Sequence, residues 1–278
     1  MAIGVGCSAR QLDDGGDGGG GGQSGRGSAG RGGAGGGVAG SAGGGPGGSA
    51  GSELDPGDPL SDFELDPVAR INPTGTPPRN GYWFSYNDMS PTCVQVPALG
   101  ADHHPSLPPT PSPGPSGGLA LRATWNGCAV WGAGIGAYLN LVEPADGGVG
   151  TPLPYDLAGY KGITFWAALA TPTADTRLRF KIITRGETPI RDGGTCDEAV
   201  VGINKCGDAW GQTFVMPIAG NWRQITVQFA NLTVFKQEGW GHFVPWNPSD
   251  VLGIQIQSQG TEMDQPFDFW IDDVYLFR

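Results

Sequence analysis

The chain closes on FDFWIDDVYLF, residues 267–277. Aromatic and β-branched residues crowd this stretch and it has no glycine or proline, so it reads as one β-strand. Strand side chains alternate between two faces, so one of the adjacent Asp272 and Asp273 points inward whichever face is buried. A buried carboxylate is costly unless something pairs with it, and the rest of the chain must supply that partner.

Working outward, the same kind of segment recurs: GYWFSYN (81–87), ALRATW (120–125), GAYLNLV (136–142), GITFWAALA (162–170), RLRFKIIT (177–184), FVMPI (214–218), RQITVQFA (223–230) and VLGIQIQS (251–258). Several alternate cleanly. Ile225, Val227 and Phe229 share one face against Gln224, Thr226 and Gln228, and Leu252, Ile254 and Ile256 oppose Gly253, Gln255 and Gln257. No stretch keeps a 3.6-residue apolar period beyond one or two turns. The fold class is therefore all-β, a two-sheet antiparallel jelly-roll sandwich occupying residues 53–278. The fully apolar GITFWAALA packs on both faces at the centre of a sheet, or carries function on its outer one. The proline-rich HHPSLPPTPSPGPSGG (103–118) cannot supply ladder donors and reads as a surface loop between strands.

Residues 13–52 are almost all Gly, Ser, Ala and Asp, with too few apolar side chains to offset chain ordering, and predict a disordered Gly-rich linker before the sandwich. No GK[ST] follows these glycines, which excludes a phosphate-binding loop. The first residues, MAIGVGCSAR, resemble the end of a truncated bacterial lipoprotein signal: Val5-Gly6-Cys7 fits a lipobox, with Cys7 as the lipidated residue, although Gly4 stands where Leu is usual and the charged region and most of the apolar region are missing; the alternative is a plain N-terminus that matches by accident. Residues 1–52 are thus a lipobox remnant plus linker. Cys93, Cys128, Cys196 and Cys206 form an even set, which in an exported domain predicts two disulfides. Three connectivities exist, and sequence proximity favours Cys196–Cys206 and then Cys93–Cys128. Zinc is disfavoured, because there is no CxxC and His103, His104 and His242 are scattered. The net charge of −11, with 16 Lys and Arg dispersed among 27 Asp and Glu, excludes a nucleic-acid surface.

Nine tryptophans are many for such a domain. Trp166 and Trp270 lie within strand patterns and read as core, and Trp222 reads as packing. Trp131, Trp210, Trp240 and Trp246 lie in Gly-, Asp- or Pro-rich segments. There an indole offers a flat face to a sugar ring, or plugs a loop onto the sandwich edge. Gln255 and Gln257 project together from one strand, and their amides donate and accept as a hydroxyl-rich ligand requires. With Arg179 and a tryptophan they would line a sugar groove; otherwise they form a solvated outer face. HExxH does not occur. The GxGxG of WGAGIGAYLN lacks a following helix, so its glycines serve bulges or close strand packing.

Taken together, DFE (62–64), GYWFSYND (81–88), WGAGIGAYLN (131–140), YDLAGYKGITFWA (155–167), GGTC (193–196), CGDAWGQ (206–212), NWRQITVQFANL (221–232) and FDFWIDDVYLF resemble the galactose-binding-like jelly rolls that serve as carbohydrate-binding modules, of the family 11 and family 4 type. The resemblance implies non-catalytic binding of β-glucans or related polysaccharides, and a structural Ca²⁺ near the chain termini. The matching ligand positions are Asp62 or Glu64 and Asp272 or Asp273, with backbone carbonyls completing the shell. Asn87 and Asp88 are a second candidate pair, or simply a turn. The expectation is an exported, lipid-anchored protein of the outer membrane or cell surface, otherwise secreted. It would be a monomer that binds polysaccharide or cell-envelope glycan, meets the membrane only through its anchor, and does not bind nucleic acid. The alternatives are a polysaccharide hydrolase or lyase on the same sandwich, and a structural envelope protein without sugar affinity.

Overall fold

Alternating strands bury one face each, and in the computed structural model they do so as two facing antiparallel sheets. The structure describes residues 57–64, 70–98, 118–142, 150–170, 176–216, 220–258 and 266–278. Cys7, the Gly-rich linker and the proline-rich stretch up to residue 117, His103 and His104 included, lie outside the described residues.

The strands are β1 (Asp58–Ser61), β2 (Trp83–Asn87), β3 (Val94–Val96), β4 (Leu121–Asn126), β5 (Ala133–Tyr138), β6 (Leu141–Val142), β7 (Thr151–Pro152), β8 (Gly162–Leu169), β9 (Arg177–Thr184), β10 (Trp210–Val215), β11 (Arg223–Gln228), β12 (Val251–Ser258) and β13 (Phe267–Phe277). The first sheet runs β11-β8-β13-β4-β3, with β1 added beside β13; the second runs β10-β9-β12-β5-β2. The chain changes sheet at β1 to β2, β2 to β3, β4 to β5, β8 to β9, β10 to β11, β11 to β12 and β12 to β13, which interleaves the two sheets as a jelly roll does. Between them lie Phe165, Ile225, Val227, Phe269 and Ile271 from the first sheet and Ile135, Phe180, Ile182, Ile254 and Ile256 from the second. Phe165 meets Phe180 across the interface at 5.7 Å. Full burial of each such side chain stabilises the fold by about 1.5–3 kcal/mol.

Four sequence expectations are corrected by this packing. β10 begins at Trp210, four residues before the expected FVMPI, so Trp210 enters the core. Trp166 and Trp270 alternate with Phe165, Ala167, Phe269 and Ile271, which face the core, and so both lie on the outer face of the first sheet. In β12 a register shift between Val251 and Gly253 turns Val251 rather than Leu252 into the core. In β13 the register against β8 shifts between Asp272 and Tyr275, and Asp273 takes a φ of 47°. This bulge breaks the alternation, so Asp272 and Asp273 are both buried, at 0% and 2% exposure, instead of splitting between inside and outside.

β1 is short, and an ion pair between a buried arginine and a half-buried aspartate holds the chain beside it. Arg79 donates to Asp58 at 3.0 and 2.7 Å, to the carbonyls of Pro59 and Thr74 at 2.7 Å each, and to Asn72 O at 3.1 Å. The Tyr160 hydroxyl also donates to Asp58. Burial pushes the Asp58 carboxyl up, but Arg79 and Tyr160 outweigh it and leave it below the ordinary aspartate value. Removing one partner of such a pair strands the other charge, at a cost of about 3–5 kcal/mol. Arg79→Met should therefore lower the free energy of unfolding by about that amount in a urea titration; a change within about 0.5 kcal/mol would contradict the role given to the pair.

Candidate functional site

The outer face of the second sheet is built around two missing side chains. In β5, Gly134 and Gly136 point outward beside Tyr86 and Phe84 of β2. A Cβ on Gly134 would stand 2.7 Å from Tyr86 Cζ and 2.5 Å from Ile256 O, and one on Gly136 would stand 2.7 Å from Phe84 Cζ. The tips of the two rings therefore reach over bare backbone. Phe84 stacks on Tyr138 at 4.6 Å, and Tyr86 stacks on Trp131 at 5.9 Å. Phe84 and Tyr86 meet at 6.1 Å, so Trp131, Tyr86, Phe84 and Tyr138 form one continuous aromatic ladder.

Registry places polar groups beside this ladder. One row across the sheet reads Phe84, Gly136, Gln255, Lys181, Gly211; the next reads Tyr86, Gly134, Gln257, Arg179, Thr213. Gln257 accepts from Lys181 Nζ and donates through Nε2 to the carbonyl of Trp131 at 3.0 Å. Tyr86, Tyr138 and Gln255 are buried as a floor, while Phe84, Trp131, Lys181 and Gln257 are partly exposed. Neither row contains a carboxylate.

The remaining expected ligand contacts are placed differently. Arg179 is buried: its Nη2 donates to Lys236 O at 2.8 Å and its Nε lies 3.6 Å from Glu238. It braces the loop beyond β10 instead of facing a groove. Burial pulls its guanidinium below the ordinary value. Trp210 donates from Nε1 to Val244 O at 2.9 Å and packs with Phe235 and Trp246, so neither ring face is open. Trp246 lies between Phe229 and Phe235 at 5.7 and 5.0 Å, against the core. These two indoles plug a loop onto the sandwich. Trp240 stays partly exposed beside Glu238. On the first sheet, the Arg122 guanidinium covers the Trp270 ring at 5.4 Å and binds Asp268 at 2.9 and 2.6 Å, which closes that ring to other partners. His242 and Phe243 border a cavity of about 340 Å³ with Thr195 and Asp197.

Both disulfides form in the favoured pairing, Cys93–Cys128 and Cys196–Cys206. The expected metal positions divide. Asp88 accepts the N–H groups of Ser90, Val130, Trp131 and Gly132, so its carboxylate caps a turn and a loop. Asn87 accepts from Met89 N, in the same turn. Glu64 Oε1 accepts from Gly118 N and Leu119 N at 2.6 Å each. Tyr275 lies 3.5 Å from Asp273 Oδ1 and within electrostatic reach of Asp62 and Asp272: burial, then the charges of Asp273 and Asp62, push its hydroxyl up to about 12. Among the described residues, the group of potential metal-binding atoms within 4.8 Å of one another is Asp88 with Cys93 and Cys128, whose sulfurs are spent in the disulfide. The aspartate trio around Tyr275 is a looser set.

Sequence reasoning missed Phe84, Tyr86, Tyr138 and Lys181. The signal was present as two aromatics at alternate positions of one strand and glycines at alternate positions of another, but their pairing lies in long-range register.

No protein-family model and no curated protein sequence matches the chain. Among solved structures it is similar to a family 11 carbohydrate-binding module from Clostridium thermocellum in complex with a β-1,3-1,4-mixed-linked tetrasaccharide, at 13% identity and a TM-score of 0.42, covering 79% of this chain and 94% of that one. It is also similar to the family 11 module of a cellulosomal cellulase of the same organism, at 15% identity and a TM-score of 0.40, covering 80% and 94%. A family 30 carbohydrate-binding module matches at 12% identity and a TM-score of 0.39, covering 69% and 91%.

Tyr275 supplies a pH test of the acidic cluster. Its folded pKa lies above the unfolded value of about 10, so its contribution to stability is complete below about pH 10 and is lost as pH rises toward about 12. In an ultraviolet titration with EDTA present, which leaves the aspartate charges uncompensated, one tyrosine should stay protonated at about pH 11, and Asp273→Asn should bring it down. A Tyr275 that ionises with the exposed tyrosines would contradict the clustering.

Proposed function

We propose that the outer face of the second sheet binds a polysaccharide chain of the β-glucan class, without catalysis. The observation that carries this is the aromatic ladder lying beside a ridge of side-chain amides and Lys181. Pyranose rings present flat C–H faces that match Phe84 and Trp131, while their hydroxyls meet donors and acceptors from Gln257 and Lys181. A glycosidase places two carboxylates about 5–10 Å apart at its cleavage point. The two rows across this face supply none, which favours binding over hydrolysis. Phe84→Ala and Trp131→Ala should each weaken retardation in β-glucan affinity gels by about tenfold, the loss of a contact worth about 1.4 kcal/mol. A wild-type chain that no β-glucan, xylan or mannan retards would contradict the proposal, and so would variants that bind unchanged.

We further propose that Asp62, Asp272 and Asp273 hold a structural Ca²⁺. The donors are oxygens only, as this hard cation requires, and two of them sit in a buried bulge where a cation would offset their desolvation. If Ca²⁺ binds the native state, EDTA lowers the melting temperature, added Ca²⁺ restores it, and Asp273→Asn removes the effect. A melt indifferent to both additions would contradict the site.

A further inference from the structure

Two buried aspartates perform the same task on opposite flanks of the second sheet. Asp88, 3% exposed, follows β2 and faces the segment that leads into β5. Its Oδ2 accepts from Val130, Trp131 and Gly132 at 2.8, 3.1 and 3.2 Å, and its Oδ1 accepts from Ser90 at 2.9 Å. Its carboxylate lies within 4.8 Å of the Cys93–Cys128 sulfurs. Trp131 is thus held at its N–H by Asp88, at its carbonyl by Gln257 and on its ring by Tyr86.

Asp208, 1% exposed, lies two residues after Cys206 of the other disulfide. It accepts from Glu238 at 2.9 Å, Gly239 at 2.7 Å and Gly241 at 3.1 Å, and so encloses Trp240. Gln237 ties the same loop down, donating to Asp208 O at 2.5 Å and accepting from Val244 N at 2.9 Å, while Lys205 donates to Trp240 O at 2.8 Å. Buried carboxylates that accept several amide N–H groups hold backbone through charge-assisted bonds, the stronger kind. Holding a loop before the ligand arrives removes an ordering cost from binding.

We propose that Asp88 and Asp208 are positioning residues, each presenting a tryptophan, Trp131 and Trp240, to a ligand crossing the second sheet. The assignment rests on the polysaccharide reading for the identity of the ligand, but the loop geometry stands apart from it. Asparagine keeps the size of the side chain but removes the charge and turns one of its two acceptor oxygens into a donor, so the amides gathered on both oxygens can no longer all be satisfied. Asp88→Asn should weaken β-glucan binding about tenfold, as Trp131→Ala does, and the double variant should lose no more than either single one. Asp208→Asn and Trp240→Ala should behave as a second such pair. Single losses that multiply in the double variant, or an Asp88→Asn chain that binds as wild type does, would overturn the proposal.

Hydrogen exchange separates this from a failure of the sugar reading. Even if no polymer binds the wild type, Asp88→Asn should speed exchange at residues 130–132 at least tenfold while the strands keep their protection; unchanged exchange there overturns the positioning role. If Asp88→Asn does not fold, the wild type decides the matter. On acidification the amide signals of Val130, Trp131 and Gly132 should shift together in one transition below the ordinary aspartate range, because hydrogen bonds outweigh the burial that pushes the carboxyl up. Three unrelated transitions would overturn it.

Discussion

The aromatic face of the second sheet exists because β5 leaves backbone bare where β2 leans over it. With any side chain at Gly134 or Gly136, Tyr86 and Phe84 would have to shift, since a Cβ there falls inside contact distance of their rings. Over the bare backbone the two rings join Trp131 on one side and Tyr138 on the other. Glycine weakens a strand, because it packs nothing and loses more chain entropy on folding. Two of them in a central strand are explained by what lies over them. The ladder, the amide row and the placement of Trp131 all follow from that accommodation.

The handling of buried charge forms a second theme. The chain is acidic, yet its buried aspartates do distinct jobs. Asp58 pairs with Arg79 and fixes β1, and Asp268 pairs with Arg122 over Trp270. Asp88 and Asp208 gather loop amides. Asp272 and Asp273 sit in the bulge of the longest strand, with Asp62 near the same tyrosine. One residue type thus serves as ion-pair partner, loop anchor and member of an oxygen-rich cluster, and the neighbours that reach it decide which.

Much of the framework was legible in the sequence, because strand alternation is a local property. RLRFKIIT, VLGIQIQS and FDFWIDDVYLF coincide with β9, β12 and β13 at both ends. Both disulfides were legible as well, from proximity. What was not legible depends on register or on where a strand starts. Trp210 looked like a loop residue because GDAWGQ is rich in turn formers, yet β10 pairing with β9 begins there. Trp166 and Trp270 looked like core because their strands are apolar throughout, and only the facing sheet shows which alternate set it covers. Asp272 and Asp273 were expected to point to opposite faces, and the bulge that buries both cannot be read from residues that tolerate either conformation. Of the expected binding set, Trp131, Gln255 and Gln257 share one face, Trp240 borders it, and Trp210 and Trp246 are spent on packing.

The central claim is that this face of the second sheet meets a sugar polymer, and chemical-shift mapping tests it most directly. Adding a soluble β-glucan oligosaccharide to labelled protein should move the amide and side-chain signals of Phe84, Trp131, Lys181, Gln257 and the Gly134–Gly136 backbone, leaving the first sheet unmoved. Shifts confined to the outer face of the first sheet or to the cavity beside His242 would contradict the account, as would a spectrum that does not change across a panel of glucans.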